Sequence, residues 1–396
     1  MIVVDVLLYA FVLLLAIPVG TMVVSIVAAV FVPTRLLPLS TGPRPSLAVL
    51  VPAHDEALVI AATLDTIRPQ LAAGDRVVVI ADNCSDDTAA IARAAGAEVL
   101  ERHDTLRRGK GYALDHGVRF LESHQPPEVV VFVDADCNVT PGTLDLLVRR
   151  CRYTGRPVQA TYDMLLGTDN PTVPPISAFA WKLRAVICPL GMHHLGCATF
   201  LMGSGMALPW PLARDLPLAS GQIVEDMQMT LDLARRGAPP VMCPQARVTS
   251  EFPVSRAGAT SQRTRWEHGH LGMIVSQAPR LLSEISRGVG AGLLPLTLDL
   301  CVPPKALLVM LLLSSVLLSG LGAAIGASSG PFIVSLLLVG LFLGSVWLAW
   351  ARFGRDIVPP SEAFRVAKYV FAKIPLYLRF LVRRQVEWVR SKRDAD

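Results

Sequence analysis

Val129-Val-Val-Phe-Val-Asp134-Ala-Asp136 is the stretch on which the fold turns. Five consecutive β-forming residues without a polar break read as a strand buried on both faces. The run stops at two carboxylates. Two upstream runs end in the same way. Leu47-Ala-Val-Leu-Val51 passes through Pro52 to His54-Asp55-Glu56, and Val77-Val-Val-Ile80 leads to Asp82. Helical stretches separate these runs: about 56–70, a second through Ala95 that Gly96 stops, and 111–122. Val99-Leu100 opens a further strand. This alternation predicts an α/β fold with a mainly parallel, Rossmann-like sheet and helices on both faces. Ligands of such sheets gather at the carboxyl ends of the strands. All three polar clusters fall there.

Each cluster has a chemical reading and a bland one. Asp134 and Asp136 would point to opposite faces in an extended chain, but a turn at the strand end brings both toward one ion. Hard oxygen ligands suit Mg²⁺ or Mn²⁺; the bland alternative is a cap for a helix starting near Thr140-Pro141. Ser85 or Asp86 can cap the next helix, which leaves Asp82 at the crevice for a base or ribose. In Arg107-Arg-Gly-Lys-Gly111, Lys110 can approach phosphates closely, although the stretch is no Walker loop and also reads as a solvated turn. Glu225-Asp226 opens a helix over 227–236. It offers a general base, or simply charges that the helix dipole favours. Gln262-Arg-Thr-Arg265-Trp266 places an amide, two guanidinium groups and an indole within five residues, a set suited to phosphate and flat sugar rings. His268 and His270 follow and read as incidental.

Composition adds a membrane. Of 396 residues 52% are hydrophobic and 17% charged, below the ~25% charged of soluble domains. Disorder is excluded, and a purely soluble chain is disfavoured. The seven cysteines form no CxxC pair and read as reduced, cytosol-facing thiols. Residues 352–396 carry eleven Lys/Arg against five Asp/Glu, so the rest of the chain sums to −1 and offers no basic surface for nucleic acid. Val6–Thr34 is uncharged, long enough to span and too long for a signal peptide. Residues 1–34 therefore read as one retained transmembrane helix. Ala306–Ala351 is also uncharged, and its 46 residues fit two spans joined by a turn at 327–331, giving a two-helix unit over 304–351. Arg35, Arg44, Lys305, Arg352 and Arg355 flank these spans and assign their ends to the cytosol. The N-terminus and the 328–330 turn then lie outside. Without an ionisable residue in a span, a transporter is a poor reading.

Two segments remain. Over 276–303, Arg280, Glu284 and Arg287 share one polar face while Leu281, Leu282, Ile285 and Val289 lie elsewhere, as in an interfacial amphipathic helix. The tail 352–396 mixes Lys368, Lys373, Arg379, Arg383 and Arg384 with Tyr369, Phe371, Tyr377 and Phe380, up to Trp388. Such a segment suits an anionic leaflet; the alternative is a helix packed on the catalytic domain.

Taken in order, Val51-Pro-Ala-His-Asp-Glu56, Asp82, Gly109-Lys-Gly111, Asp134-Ala-Asp136, Glu225-Asp226 and Gln262-x-x-Arg265-Trp266 resemble family 2 glycosyltransferases of the GT-A fold. The resemblance is to the membrane-bound branch that includes cellulose, chitin and hyaluronan synthases and ceramide glucosyltransferase. It implies a cytosolic GT-A domain over 35–275. It also implies roles. Ala53, Glu56 and Asp82 would hold the uridine of a nucleotide-sugar donor, and Lys110 its diphosphate. Asp134 and Ala135 would contact the donor, with Asp134 and Asp136 at an Mg²⁺ or Mn²⁺ ion. Asp226 would be the base, with Glu225 beside it. Gln262, Arg265 and Trp266 would close over the diphosphate and acceptor sugar, and Phe200-Leu-Met-Gly-Ser204 resembles the loop at the acceptor entrance. Pro209-Trp210 and Val224 depart from the family pattern, basic residues and a Thr being usual there, and leave the acceptor open.

A single base implies one displacement with inversion, giving a β-linked product from an α-linked donor. Three spans favour single transfer to a membrane lipid or lipid-linked glycan, in glycolipid or exopolysaccharide synthesis, over a processive synthase that extrudes a polymer. A non-catalytic membrane scaffold and a nucleotidyltransferase are the remaining alternatives, and a homo-oligomer stays open. Compact loops and the Ala/Arg-rich composition point to a bacterial inner-membrane protein.

Overall fold

The computed structural model describes residues 1–34, 37–167, 172–288, 290 and 292–382. Arg35, Val289, Arg383, Arg384 and the tail through Trp388 lie outside the described residues. Helix α1 (Ile2–Phe31) leads to strand β1 (Leu47–Ala53), α2 (Ile60–Ile67), β2 (Arg76–Asp82), α3 (Thr88–Ala94), β3 (Glu98–Arg102), α4 (Lys110–Ser123) and β4 (Val129–Phe132). Then come the short β5 (Asn138–Val139), α5 (Thr143–Thr154) and β6 (Val158–Leu165). Next, α6 (Pro175–Lys182), a π-helical turn (Leu183–Ile187) and α7 (Cys188–His194) form one helical run. Strand β7 (Met206–Pro209), α8 (Trp210–Arg214), α9 (Glu225–Arg235) and β8 (Val241–Glu251) complete the sheet domain. The chain ends in α10 (Arg256–Ser286), α11 (Leu293–Leu300), α12 (Lys305–Ala324), α13 (Gly330–Phe353), α14 (Val366–Phe371) and α15 (Ile374–Val382).

The eight strands form one sheet in the order β3-β2-β1-β4-β7-β6-β8-β5. The β3-β2-β1-β4 half is parallel, with Val49 opposite Val77 and Val131. Beyond it the sheet is mixed: β7 runs antiparallel to both β4 and β6, and β5 runs antiparallel to β8. The expectation of a mainly parallel sheet holds for the half that the sequence resolves into strand–helix units. β1 shows why its residues are apolar throughout. Leu47, Val49 and Val51 pack into one core with α2 and α5, while Ala48 and Leu50 pack into a second core with α4 and α9.

Three helices, Ile2–Phe31, Lys305–Ala324 and Gly330–Phe353, are long and apolar enough to cross a membrane. They pack on each other and on α6–α7. A Cβ on Gly191 would fall 1.7 Å from the Ser25 carbonyl oxygen, so this glycine lets α7 lie directly against α1. Asp5 Oδ1 accepts from the Ser328 amide at 2.7 Å, which joins the start of α1 to the α12–α13 turn.

One boundary differs from the sequence reading. α10 runs unbroken from Arg256 to Ser286, so position 276 lies within a helix that also carries Gln262, Arg265 and Trp266. The tail folds back over that helix. Lys373 is ion-paired with Glu267, Leu376 O lies 3.0 Å from His268 Nε2, and Tyr377 is buried. Lys373 thus serves a packing contact, while Phe371, Leu378 and Leu381 remain exposed.

Candidate active site

A cavity of about 610 Å³ opens at the carboxyl ends of β1, β2 and β4. Its wall holds every residue given a donor, metal or base role in the sequence reading: Ala53, Glu56, Asp82, Lys110, Asp134, Ala135, Asp136, Glu225, Asp226, Gln262, Arg265 and Trp266. They come from the ends of β1, β2 and β4, the starts of α4 and α9, and α10, and the sheet order gathers them.

Lys110, the first residue of α4, is the hub. Its Nζ lies 2.5 Å from Asp134 Oδ1 and 3.7 Å from Glu225 Oε1, and donates to Gly203 O at 2.8 Å. Burial works against its charge, yet Asp134 and Glu225 raise its pKa. Gly111 admits this packing, since a Cβ there would meet Leu218 O at 2.5 Å. The Asp134 amide donates to Ser204 Oγ at 3.1 Å, and Asp134, Asp136 and Cys137 offer ligand atoms within 4.8 Å of one another. Burial pushes the Cys137 thiol well above its usual range. The thiol therefore stays protonated, and the cluster is a pair of hard carboxylates. Four carboxylates around one lysine leave a negative excess that a divalent cation fits. These residues therefore suit Mg²⁺ or Mn²⁺.

Asp226 begins α9 beside Glu225. Its Oδ1 accepts from the Met227 amide at 2.8 Å. Burial, then the Glu225 charge, raise its pKa to about 7, against the pull of Lys110. A carboxylate near neutrality can both accept and release a proton. Val224, where the family pattern favours Thr, has a packing reason: it fills the space beside Gly269 of α10, where a Cβ would come within 2.6 Å.

At the far end Asp82 is buried. Arg102 Nη1 donates to its Oδ1 at 2.6 Å, and Asn83 Nδ2 donates to the same oxygen at 2.9 Å. Arg102 had no sequence signal; it reaches Asp82 only through the β2–β3 pairing. The helix after Asp82 starts at Thr88 with Asp87, not Ser85 or Asp86, at its N-cap; Asp86 Oδ1 accepts from the Thr88 amide at 3.0 Å in the turn that precedes it. Trp266 lies where expected, but one indole face is taken. It stacks on Trp181 at 4.5 Å and 29°, and Tyr162 meets Trp181 edge-on. Trp181 and buried Gln159 were missed. Gln159 holds the 200–204 loop, with its Oε1 accepting from the Met202 amide and its Nε2 donating to Ser204 O. His268 and His270 serve packing: each ring Nε2 lies 3.0 Å from a carbonyl oxygen, of Leu376 and Leu300 respectively.

The mixed sheet with a carboxylate-rich crevice at its strand ends defines a GT-A-like transferase fold. Residues 43–269 match the family described as "Glycosyltransferase like family 2", and the chain belongs to that family. It is a glycosyltransferase. Over 96% of its length it superposes on the whole of a mannosyltransferase from Pyrobaculum calidifontis, solved with GDP-Man and Mn²⁺, at TM-score 0.60 and 19% identity. That likeness in fold takes in the apolar helices as well as the sheet domain. A glucosyl-3-phosphoglycerate synthase of Mycolicibacterium paratuberculosis is 37% identical over 98 residues, which span 23% of this chain and 28% of that protein. The Mycobacterium tuberculosis glucosyl-3-phosphoglycerate synthase, solved with Mn²⁺ and UDP, matches over 57% of this chain and 80% of its own, with 24% identity and TM-score 0.39.

Proposed function

We propose that this protein is an inverting, metal-dependent β-glycosyltransferase. It moves a sugar from a nucleotide-sugar, a UDP-sugar by the Asp82 end of the site, to a membrane lipid or lipid-linked glycan. The observation that carries this reading is the extent of the cavity. It runs from Ala53 and Asp82, past Asp134 and Asp226, to Pro303, Pro304, Lys305 and Ala306 at the start of an apolar helix. A donor enters from the sheet end, and an acceptor anchored in the bilayer reaches the same chamber from the other.

The residues divide the work. Ala53, Glu56 and Asp82 bind the nucleoside. Asp134 and Asp136 would hold a divalent ion, which would supply charge to offset that of the departing diphosphate. Lys110, Gln262 and Arg265 steady the diphosphate. Asp226 takes the proton from an acceptor hydroxyl as its oxygen bonds to the anomeric carbon. The bond from that carbon to the diphosphate oxygen breaks on the opposite face, so configuration inverts. This reading gives Asp226 the role of base and assigns no residue as a covalent nucleophile. The apolar helices span the membrane, with the sheet domain in the cytosol.

The test is a product assay on membranes carrying the protein, given labelled UDP-sugars and Mn²⁺, with Asp226→Asn in parallel. Label in the organic phase, absent in the variant, is the expected result. Large water-soluble label would mean a polymer synthase, and an α-linked product from an α-linked donor would refute inversion.

A further inference from the structure

The cavity is electrically two-ended. Around Lys110 the carboxylates outnumber the cations. At the membrane end the sign reverses. Arg184, in the π-helical turn, and Lys305, the first residue of α12, both face Asp299. Arg184 Nη1 donates to Asp299 Oδ2 at 2.8 Å. Among the described residues Lys305 makes no ion pair. His270 lines the same end and adds no charge, because burial and the positive charges of Arg184 and Lys305 push its pKa down to about 3. Arg184 is held by Asp299 and also faces Asp226, while Lys305, half-buried in the cavity wall, has no carboxylate within ion-pair distance among the described residues, so its ammonium is available to an anion.

Positive-inside flanking alone would let Lys305 extend among head groups. Instead it lines the cavity beside Pro303, Pro304 and Ala306. It also stands at the N-terminus of a helix, where a cation is disfavoured and an anion favoured. Arg184 lies close enough to Asp226 for the two charges to interact, so this end adjoins the base.

We propose that Arg184 and Lys305 form an anion site for a phosphate of the acceptor, which is a lipid headgroup carrying both that phosphate and a free hydroxyl. This rests on the reading of the cavity as a path for a membrane-held acceptor. The phosphate is not the nucleophile. An ionised phosphate offers Asp226 no proton, whereas a neighbouring hydroxyl does. The hydroxyl oxygen bonds to the anomeric carbon, its proton passes to Asp226, and the nucleoside diphosphate leaves.

The experiment is a binding titration of the full-length protein in non-ionic detergent with UDP and Mn²⁺. Four probes are compared: a short-chain phosphatidylglycerol, a short-chain polyprenyl diphosphate-linked sugar, a diacylglycerol of matched chain length, and 3-phosphoglycerate. Each is titrated against wild type, Lys305→Ala and Lys305→Arg. At least one phosphate-bearing lipid is expected to bind, with Lys305→Ala weakening it roughly ten- to a hundredfold, the worth of a charge-assisted hydrogen bond. Lys305→Arg should stay within a few-fold of wild type. Diacylglycerol should bind more weakly and equally to all three proteins. Equal binding of diacylglycerol and the phosphate lipids, loss of no affinity in Lys305→Ala, or no binding at all would overturn the anion site. The first of these would leave the lipid-acceptor reading intact. Lys305-dependent binding of 3-phosphoglycerate alone would keep the phosphate site and overturn the lipid. Melting temperatures check that the variants fold, with Lys305→Gln replacing Lys305→Ala where the latter melts early.

Discussion

Gly203→Ala isolates the centre of the site. Gly203 lies in the loop before β7, with φ at +86°, and its carbonyl accepts from Lys110 at 2.8 Å. An L-residue in this left-handed region costs about 1–2 kcal/mol. For a domain the size of the family match, such a cost lowers the melting temperature by about 2–8 °C. The new methyl meets no backbone. Its carbon would lie 3.4 Å from Lys110 Nζ, 3.6 Å from Asp226 Oδ2 and 3.8 Å from Asp134 Oδ2, all ordinary contacts. The chain can therefore fold around it. The methyl does fill the space these three side chains share, where donor and acceptor must meet. A displacement of the reacting atoms by about 1 Å costs on the order of a hundredfold in rate, or about 2.7 kcal/mol of barrier. Activity should thus fall far more than stability. The assay pairs initial transfer rates at 20 °C with thermal unfolding of the same preparations. If Gly203→Ala turns over within threefold of wild type, the reacting atoms do not lie between Lys110, Asp134 and Asp226, and the roles given to them are wrong.

Other expectations follow from the charges. Asp226→Asn should lose about 10²–10⁴ in rate, the usual worth of a general base, yet melt higher than wild type. Burial and Glu225 raise the Asp226 pKa above its unfolded value, so the folded chain holds a proton that the unfolded chain releases, and stability is lost as pH rises toward about 7. Asn abolishes that penalty, and a variant melting lower would contradict it. For the same reason kcat/KM should rise with pH as Asp226 ionises, and a rate flat between pH 5 and 8 would remove it as the base. Asp136→Asn should weaken Mn²⁺ binding tenfold or more, read by Mn²⁺ resonance without any substrate, while unfolding stays cooperative. In the opposite pH direction, burial depresses His193 to about 4 and His270 to about 3, so the unfolded chain takes up protons that the fold refuses. Melting temperature should drop as pH falls from about 6.5 through these values, and His270→Gln should blunt the drop.

What could be read from the chain was what is local. The buried strands announced themselves as unbroken apolar runs. The carboxylates announced themselves by position at the strand ends, because a polar group inside a strand buried on both faces is costly unless it finds a partner. Length and lack of charge marked the three apolar helices, since no other property is needed to cross hydrocarbon. The order of the Asp, Asp-x-Asp, Glu-Asp and Gln-x-x-Arg-Trp signatures sufficed to suggest the family to which residues 43–269 belong.

The tertiary structure decided which of these groups meet, and what else meets them. Asp82 is held by Arg102, twenty residues away, because β2 and β3 pair side by side. Trp266 is stacked on Trp181 from a different helix, and Gln159 ties the 200–204 loop to β6. Position 276, where the sequence reading began a separate interfacial segment, lies inside α10, whose residues pack against α9 and α11 as well as against the tail. Lys373 looked like a lipid-facing cation until its partner Glu267 was in view. Lys305 looked like a mere flanking charge, yet it lines the cavity. Burial, pairing and the sign of a local field are sums over contacts distant in sequence. Residue type and spacing therefore named the chemistry, and only the packing of the sheet, α10 and the apolar helices set where each charge is spent.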